Sequence, residues 1–169
     1  IPIHTSNEHM KSRILNIEVD KILKELTNHD VLLVPGFQGI NSKHEITTLG
    51  RGGSDTSAVA VAAAFDAECI IYTDVEGVYT TDPNLVKNAK KISQISYEEM
   101  LELASQGAKV LQTRSVELAM RKKTKLSVRS SIKPNKSGTF VTEENSKLEN
   151  NTVSGIAYSK DEAKITLSR

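Results

Sequence analysis

No tryptophan occurs in the sequence, aromatic residues make up 4% of it, and Cys69 is its one cysteine. A lone cysteine cannot close an internal disulfide, and no Cys or His stands near it at metal-ligand spacing. A disulfide scaffold and a cysteine-based metal centre are therefore excluded, and no metal ligands are assigned. Cys69 lies in an apolar run and reads as a buried thiol of a reducing compartment, which makes cytoplasm the expected location. Neither sign of charge prevails: 22 Lys and Arg face 21 Asp and Glu, a formal net charge of +1. That balance gives no electrostatic reason to expect nucleic acid or a membrane as partner. Long apolar runs are missing too, and none approaches the length that spans a bilayer. The basic cluster Arg121, Lys122, Lys123 and Lys125 falls at the end of an expected helix, where it complements the helix dipole as a solvated face. His4, His9, His29 and His44 share no period and are expected on the surface. The chain opens Ile1-Pro2-Ile3 with neither an initiator methionine nor a signal peptide, and is expected to be a piece of a longer one.

What is present is the alternation of an α/β domain of ordinary size. Arg13 to Ile17 alternates as a short strand, and Val19, Ile22, Leu23 and Leu26 then recur at helical spacing. Val31 to Val34 is a short, wholly apolar run ended by Pro35-Gly36, the pattern of a strand buried on both faces of a parallel sheet. Ala58 to Ala67 reads as a helix of small residues, and Cys69 to Tyr72 as another buried strand. Ser96 and Glu99 make a capping box ahead of Met100, Leu101, Leu103 and Ala104, with Gly107 placed to end that helix. A further helix with Val116, Ala119 and Met120 precedes a strand at Leu126 to Arg129. The expected fold is an αβα sandwich around a mainly parallel sheet. Residues 1–142 are assigned to it, 143–152 to a polar linker, and 153–169 to the start of a second domain, with strands at Val153 to Tyr158 and Ala163 to Leu167.

The stretch TTLGRGGSDTSA, Thr47 to Ala58, carries the strongest chemical signal. Gly50, Gly52 and Gly53 permit turn conformations and close backbone approach, and Ser54 or Asp55 is suited to cap the helix that follows. A helix N-terminus directs unpaired amides and positive potential at whatever sits in the turn. Arg51 adds a planar fork matched to a carboxylate or phosphate. The plainer alternative is a tight turn with a solvated arginine. In open α/β sheets ligands gather beyond the carboxyl ends of the strands, and two more loops qualify: Pro35 to Gly39, and Thr73-Asp74 followed by Gly77, Tyr79, Asp82 and Pro83. For the latter, an Asx turn capped by proline is an equal reading of the local pattern.

GFQG, TTLGRGGSDTSA, TDVEGVYTTDP, GAKVLQTRSVELA and VRSS, in this order and at these intervals, resemble the C-terminal part of the catalytic domain of the aspartokinases, within the amino acid kinase superfamily. The likeness runs from about Ile14 to Ile132. TDVEGVYTTDP is shared loosely with relatives that phosphorylate acetylglutamate, glutamate, carbamate or UMP, whereas GRGGSD is the specific part. The resemblance implies that Arg51, Gly52, Gly53 and Ser54 bind L-aspartate, with Arg51 on its α-carboxylate. It implies ATP contacts from Thr73, Asp74, Tyr79, Lys109 and Val110, with Lys109 near the transferred phosphate and Asp55 organising active-site lysines. The implied reaction is transfer of a phosphoryl group from ATP, with Mg²⁺, to the β-carboxylate of aspartate.

Family members commonly place arginine after the TTDP proline as a phosphate contact, and Asn84 stands there in this chain. Their lysine-bearing KFGG loop is not in this sequence, so residues 1–169 alone are expected to be inactive. The tail from Val153 resembles the entry to an ACT regulatory domain, which in the family binds lysine or threonine as feedback inhibitor, and a homo-oligomer is expected. Two other readings stay open: a nucleotide-binding regulatory subunit of the same fold without activity, and another kinase of the superfamily.

Overall fold

The computed structural model describes residues 1–108, 110–143 and 155–158. Among these, eight strands form two four-stranded sheets. The first contains β1 (Ile3–Thr5), β2 (Ile14–Ile17), β3 (Gln38–Ile40) and β4 (Ile46–Thr48), in the order β2-β1-β3-β4. The second contains β5 (Cys69–Thr73), β6 (Gln94–Ser96), β7 (Leu126–Ser130) and β8 (Thr139–Thr142), in the order β5-β7-β8-β6. Four helices, α1 (Val19–Leu26), α2 (Gly53–Ala64), α3 (Tyr97–Ser105) and α4 (Thr113–Lys122), complete the described framework. The α/β class holds, and the sheets are mixed: β1/β3, β5/β7 and β6/β8 run parallel, while β1/β2, β3/β4 and β7/β8 run antiparallel.

The core lies between the second sheet and α2, α3 and α4, where Val59, Ile95, Met100, Val116, Val128 and Val141 are almost wholly buried. With few aromatics available, aliphatic side chains fill it. Burying one such side chain contributes about 1.5–3 kcal/mol, against about 0.5–1.5 kcal/mol for a net hydrogen bond, so the core sets the framework and polar contacts adjust it. Tyr97 is buried too, and its hydroxyl donates to Thr124 O at 2.7 Å. The capping box is present: Ser96 Oγ accepts the Glu99 N–H at 3.1 Å, and Glu99 Oε2 accepts the Ser96 N–H at 3.0 Å. Gly107, with φ 108°, follows α3 where a stop was expected.

One expected strand is not there. Val31 to Val34 has no regular secondary structure, and Val31 and Leu33 are 84% and 93% exposed. An apolar run becomes a strand where a neighbour takes up its N–H and C=O groups, and no strand pairs with this one among the described residues. The sheet resumes only after Pro35-Gly36, at β3. In α1 the apolar stripe forms as spaced, yet only Ile22 is buried, with Leu23 48% and Leu26 39% exposed. The linker after Glu143, and the tail strand at Ala163 to Leu167, lie outside the described residues. Gly155–Tyr158 shows no strand, and Ile156 N donates to Thr80 O at 2.7 Å.

Cys69 opens β5 and is 5% exposed. Burial pushes its thiol up to about 11, and the charges of Asp55 and Glu68 act in the same direction. Thiolate is the reactive form, so the native protein is expected to resist iodoacetamide at mildly alkaline pH and to label fully once denatured. Mass spectrometry reads the outcome, and rapid labelling of folded protein would contradict this burial.

Candidate active site

The glycine turn starts from a fixed stem. Leu49 is buried, and its N–H donates to Phe37 O at 2.9 Å. Gly50 and Gly52 then take φ values of 79° and 70°, a region that costs glycine nothing. Gly52, not Ser54 or Asp55, is the N-cap of α2, and no side chain caps that end. The expected cap is thus corrected: one residue of left-handed backbone lets the chain enter the helix two positions earlier, so Ser54 and Asp55 fall within its first turn. Thr56 Oγ1 donates back to Gly52 O at 2.8 Å. Ser57 Oγ donates to Gly53 O at 2.7 Å and accepts the Phe37 N–H at 3.0 Å, which ties the Pro35 to Gly39 loop to the same helix end. Arg51 and Ser54 stay exposed at the tip. This puts a guanidinium fork and the amides of α2 on one small surface, the arrangement that receives an anion.

A second helix end closes on the turn. A Cβ on Gly52 would stand 2.3 Å from Gln112 Cγ, so only glycine fits against the residue that caps α4. The half-buried carboxyl of Asp55 faces the Gln112 amide. Burial raises its pKa above the ordinary carboxylate value, while the Ser54 hydroxyl and the Gln112 amide pull the other way. Asp55 therefore bridges the first turns of α2 and α4. Val110, two residues before Gln112, is half-buried against the core. Lys109 lies outside the described residues.

Of the residues expected to face a nucleotide, Thr73 and Asp74 stand at the exit of β5. Thr73 pairs in register with Ser130 of β7, and its carbonyl accepts Ser131 N–H at 2.8 Å and Ser131 Oγ at 2.9 Å. Its hydroxyl donates to Asp74 Oδ1 at 3.1 Å. Tyr79 bridges Lys91 through the backbone. Glu76 receives Lys133 Nζ at 2.6 Å and Lys136 Nζ at 3.6 Å, and the Lys133 hydrogen bond holds its carboxyl below the usual range. Asp82 Oδ1 accepts the Asn84 N–H at 2.9 Å, so this part of the loop is the Asx turn, with Asn84 exposed. Among the described residues no group of three or more His, Cys, Asp or Glu is placed to hold a metal ion.

Arg114 was not singled out from the sequence, since an arginine in a first helical turn ordinarily reads as solvated. Its Nη1 donates to Leu49 O at 2.7 Å and its Nη2 to Ser12 O at 2.8 Å. Charge-assisted bonds of this kind are worth about 1.5–3 kcal/mol each. The Glu76–Lys133 pair went unnoticed for the same reason, because its partners lie far apart in the chain. A groove of about 920 Å³ runs elsewhere, between β2 and helices α2 and α4, and is lined by none of the residues assigned to substrate or nucleotide.

Glycine turn, paired helix ends and polar strand exit sit on one α/β framework. Residues 2–130 match the family model described as "Amino acid kinase family", and the chain belongs to that family. Within it, the chain is 51% identical over 169 residues to an aspartate kinase of Pseudomonas putida, covering 99% of this chain and 41% of that protein. It is also similar to solved structures of E. coli aspartokinase III. The complex with aspartate and ADP gives a TM-score of 0.78 at 35% identity, over 85% of this chain and 33% of that one. The complex with lysine and aspartate gives 0.76 at 34% identity, over 86% and 34%. The chain spans about two fifths of the length of the curated relatives it matches. None of its described helices is long and apolar enough to cross a membrane.

The Asp55 environment makes a testable statement about pH. Its folded pKa is raised, so its contribution to stability is full below the ordinary carboxylate range and is lost as pH rises through the folded value. Asp55→Asn keeps an acceptor for the Gln112 amide and removes the buried charge. Between the ordinary carboxylate range and neutrality, the melting temperature of the variant is expected to rise relative to wild type. Thermal denaturation of both across that window checks it, and a variant less stable at neutral pH would contradict it.

Proposed function

We propose that the whole protein of which this chain forms part is an aspartate kinase, transferring a phosphoryl group from MgATP to the β-carboxylate of L-aspartate to give 4-phospho-L-aspartate. The observation that carries this reading is the Gly50 to Asp55 turn, with Arg51 exposed at the mouth of α2 and Gly52 seated on the end of α4. Arg51 pairs with the α-carboxylate of aspartate, and Gly52, Gly53 and Ser54 line the rest. A carboxylate is already ionised near neutral pH and needs no general base. Alignment and neutralisation of charge are then the protein's task, met by backbone amides, by Thr73, Asp74, Tyr79 and Val110 on the ATP side, and by Lys109 near the transferred group. Asp55 acts through the α4 end that it holds. Mg²⁺ accompanies the nucleotide phosphates in this reading.

The same reading makes the protein a cytoplasmic homo-oligomer in the first step of lysine, threonine and methionine biosynthesis, inhibited by lysine or threonine at ACT domains that begin near residue 153. Support comes from the E. coli aspartokinase III structure determined with lysine and aspartate. Inactivity of residues 1–169 on their own is part of the proposal. A second reading, a regulatory subunit that binds nucleotide without turnover, is favoured by Asn84, whose backbone is engaged in the Asx turn.

In the full-length protein, Arg51→Ala is expected to raise the KM for aspartate about tenfold or more, the loss of a charged hydrogen-bonding partner. Unchanged aspartate dependence in steady-state kinetics would remove the substrate assignment. Asn84→Arg is expected to tighten ATP binding and leave aspartate affinity unchanged. Calorimetry that finds no effect on ATP would show that this loop does not face the phosphates.

A further inference from the structure

Leu49 is held from both sides: its N–H donates to Phe37 O at 2.9 Å and its carbonyl accepts Arg114 Nη1 at 2.7 Å. It is the last residue before Gly50, so its peptide sets where the glycine turn begins. The other prong of the guanidinium reaches Ser12 O at 2.8 Å. Ser12 is itself buried on the stem of the turn, where its N–H and its Oγ both donate to Thr48 O at 3.0 Å. One planar fork thus joins two carbonyls that come from opposite sides of the stem, 65 and 102 residues away from Arg114 in the chain. At the tip of the turn, Gly52 presses on Gln112, two residues before Arg114 in the same helix end. Base and tip are therefore both indexed to the first turn of α4.

We propose that Arg114 is a positioning residue for the reaction: it sets the glycine turn that carries Arg51 against the start of α4, and so fixes where the amino-acid substrate is presented to the phosphate donor. This rests on the reading of Arg51 to Ser54 as the aspartate site. Arg114 acts on the turn and not on substrate: each of its two Nη atoms gives an N–H to a backbone carbonyl of the stem, Leu49 O and Ser12 O. A lysine there keeps the charge but lacks the fork that spans two carbonyls. The bland role, a pin that only adds stability, would lower the melting temperature and leave substrate constants alone. The positioning role shifts them selectively, since a small displacement of an aligning group is enough to weaken binding and turnover.

The test uses the full-length protein with Arg51→Ala, Arg114→Lys and the double variant. Arg114→Lys is expected to raise the KM for aspartate about tenfold and to leave the KM for ATP unchanged. Because Arg114 acts through the turn that carries Arg51, the double variant is expected to be no worse for aspartate than Arg51→Ala alone, a non-additivity that a remote stabilising pin does not produce. An unchanged aspartate KM in Arg114→Lys, equal effects on both substrates, or full additivity overturns the proposal. If Arg51→Ala itself leaves the aspartate KM unaltered, the aspartate site is misplaced and the underlying reading falls. If Arg51→Ala raises it and Arg114→Lys does not, only the positioning role falls. Should Arg114→Lys not fold, Arg114→Gln, which retains a donor for Leu49 O, carries the same comparison. Failure of both to fold makes Arg114 a structural pin and overturns the proposal as well.

Discussion

The approach of Gly52 to Gln112 is the constraint on which the rest of the site depends, because two helix ends can share one small surface only if no side chain stands between them. A Cβ on Gly52 would clash with two Gln112 carbons, 2.3 and 2.4 Å away and far inside van der Waals contact. The φ of 70° at that residue suits glycine for a separate reason. With the side chain missing, the first turns of α2 and α4 meet. Asp55 then reaches the Gln112 amide, and Arg114 reaches the carbonyl at the root of the turn. Each contact presupposes the one before it.

Electrostatics at this meeting point are arranged against stability. Asp55 keeps a carboxyl in a half-buried place where desolvation penalises its charge, and its compensation is a backbone amide at the positive end of α4. Natural proteins tolerate such a cost where function needs a charge held in place. The opposite arrangement is seen at the strand exits. There the Glu76 carboxylate is stabilised by Lys133 and Lys136, which ties the loop after β7 to the loop after β5 without burying a charge. These partners are partly exposed, so the pairs contribute modestly and serve mainly to set loop geometry.

The two sheets differ in how completely they are enclosed. The second is covered by α2, α3 and α4 and contains the core cluster. Near the first, by contrast, lie the exposed apolar residues of α1 and the unpaired run at Val31 to Val34. The Thr73-Asp74 loop grows from the well-packed sheet, with β5 and β7 paired over five residues from Cys69↔Leu126 to Thr73↔Ser130, whereas the glycine turn follows β4 of the first sheet. A rigid base under loops that carry recognition is the usual division of labour in α/β proteins.

Local patterns in the sequence determined a good deal. The Ser96–Glu99 capping box, the stripe of α1, the basic last turn of α4 and the glycine turn opening α2 all follow from interactions within about four residues, which the order of side chains encodes directly. The apolar run at Val31 misled because hydrophobicity reports a wish for burial, whereas a strand also needs a neighbour for its backbone groups. Ser54 and Asp55 were sound cap candidates by composition, but left-handed backbone at Gly52 moved the helix start ahead of them. Only the tertiary structure decided that Arg114 forks between Leu49 and Ser12, that Asp55 lies on Gln112, and that Glu76 collects two lysines. These partners are separated by tens of residues, and no local period records them. They become neighbours when core packing sets strands and helices side by side, and that is a property of the whole assembled chain.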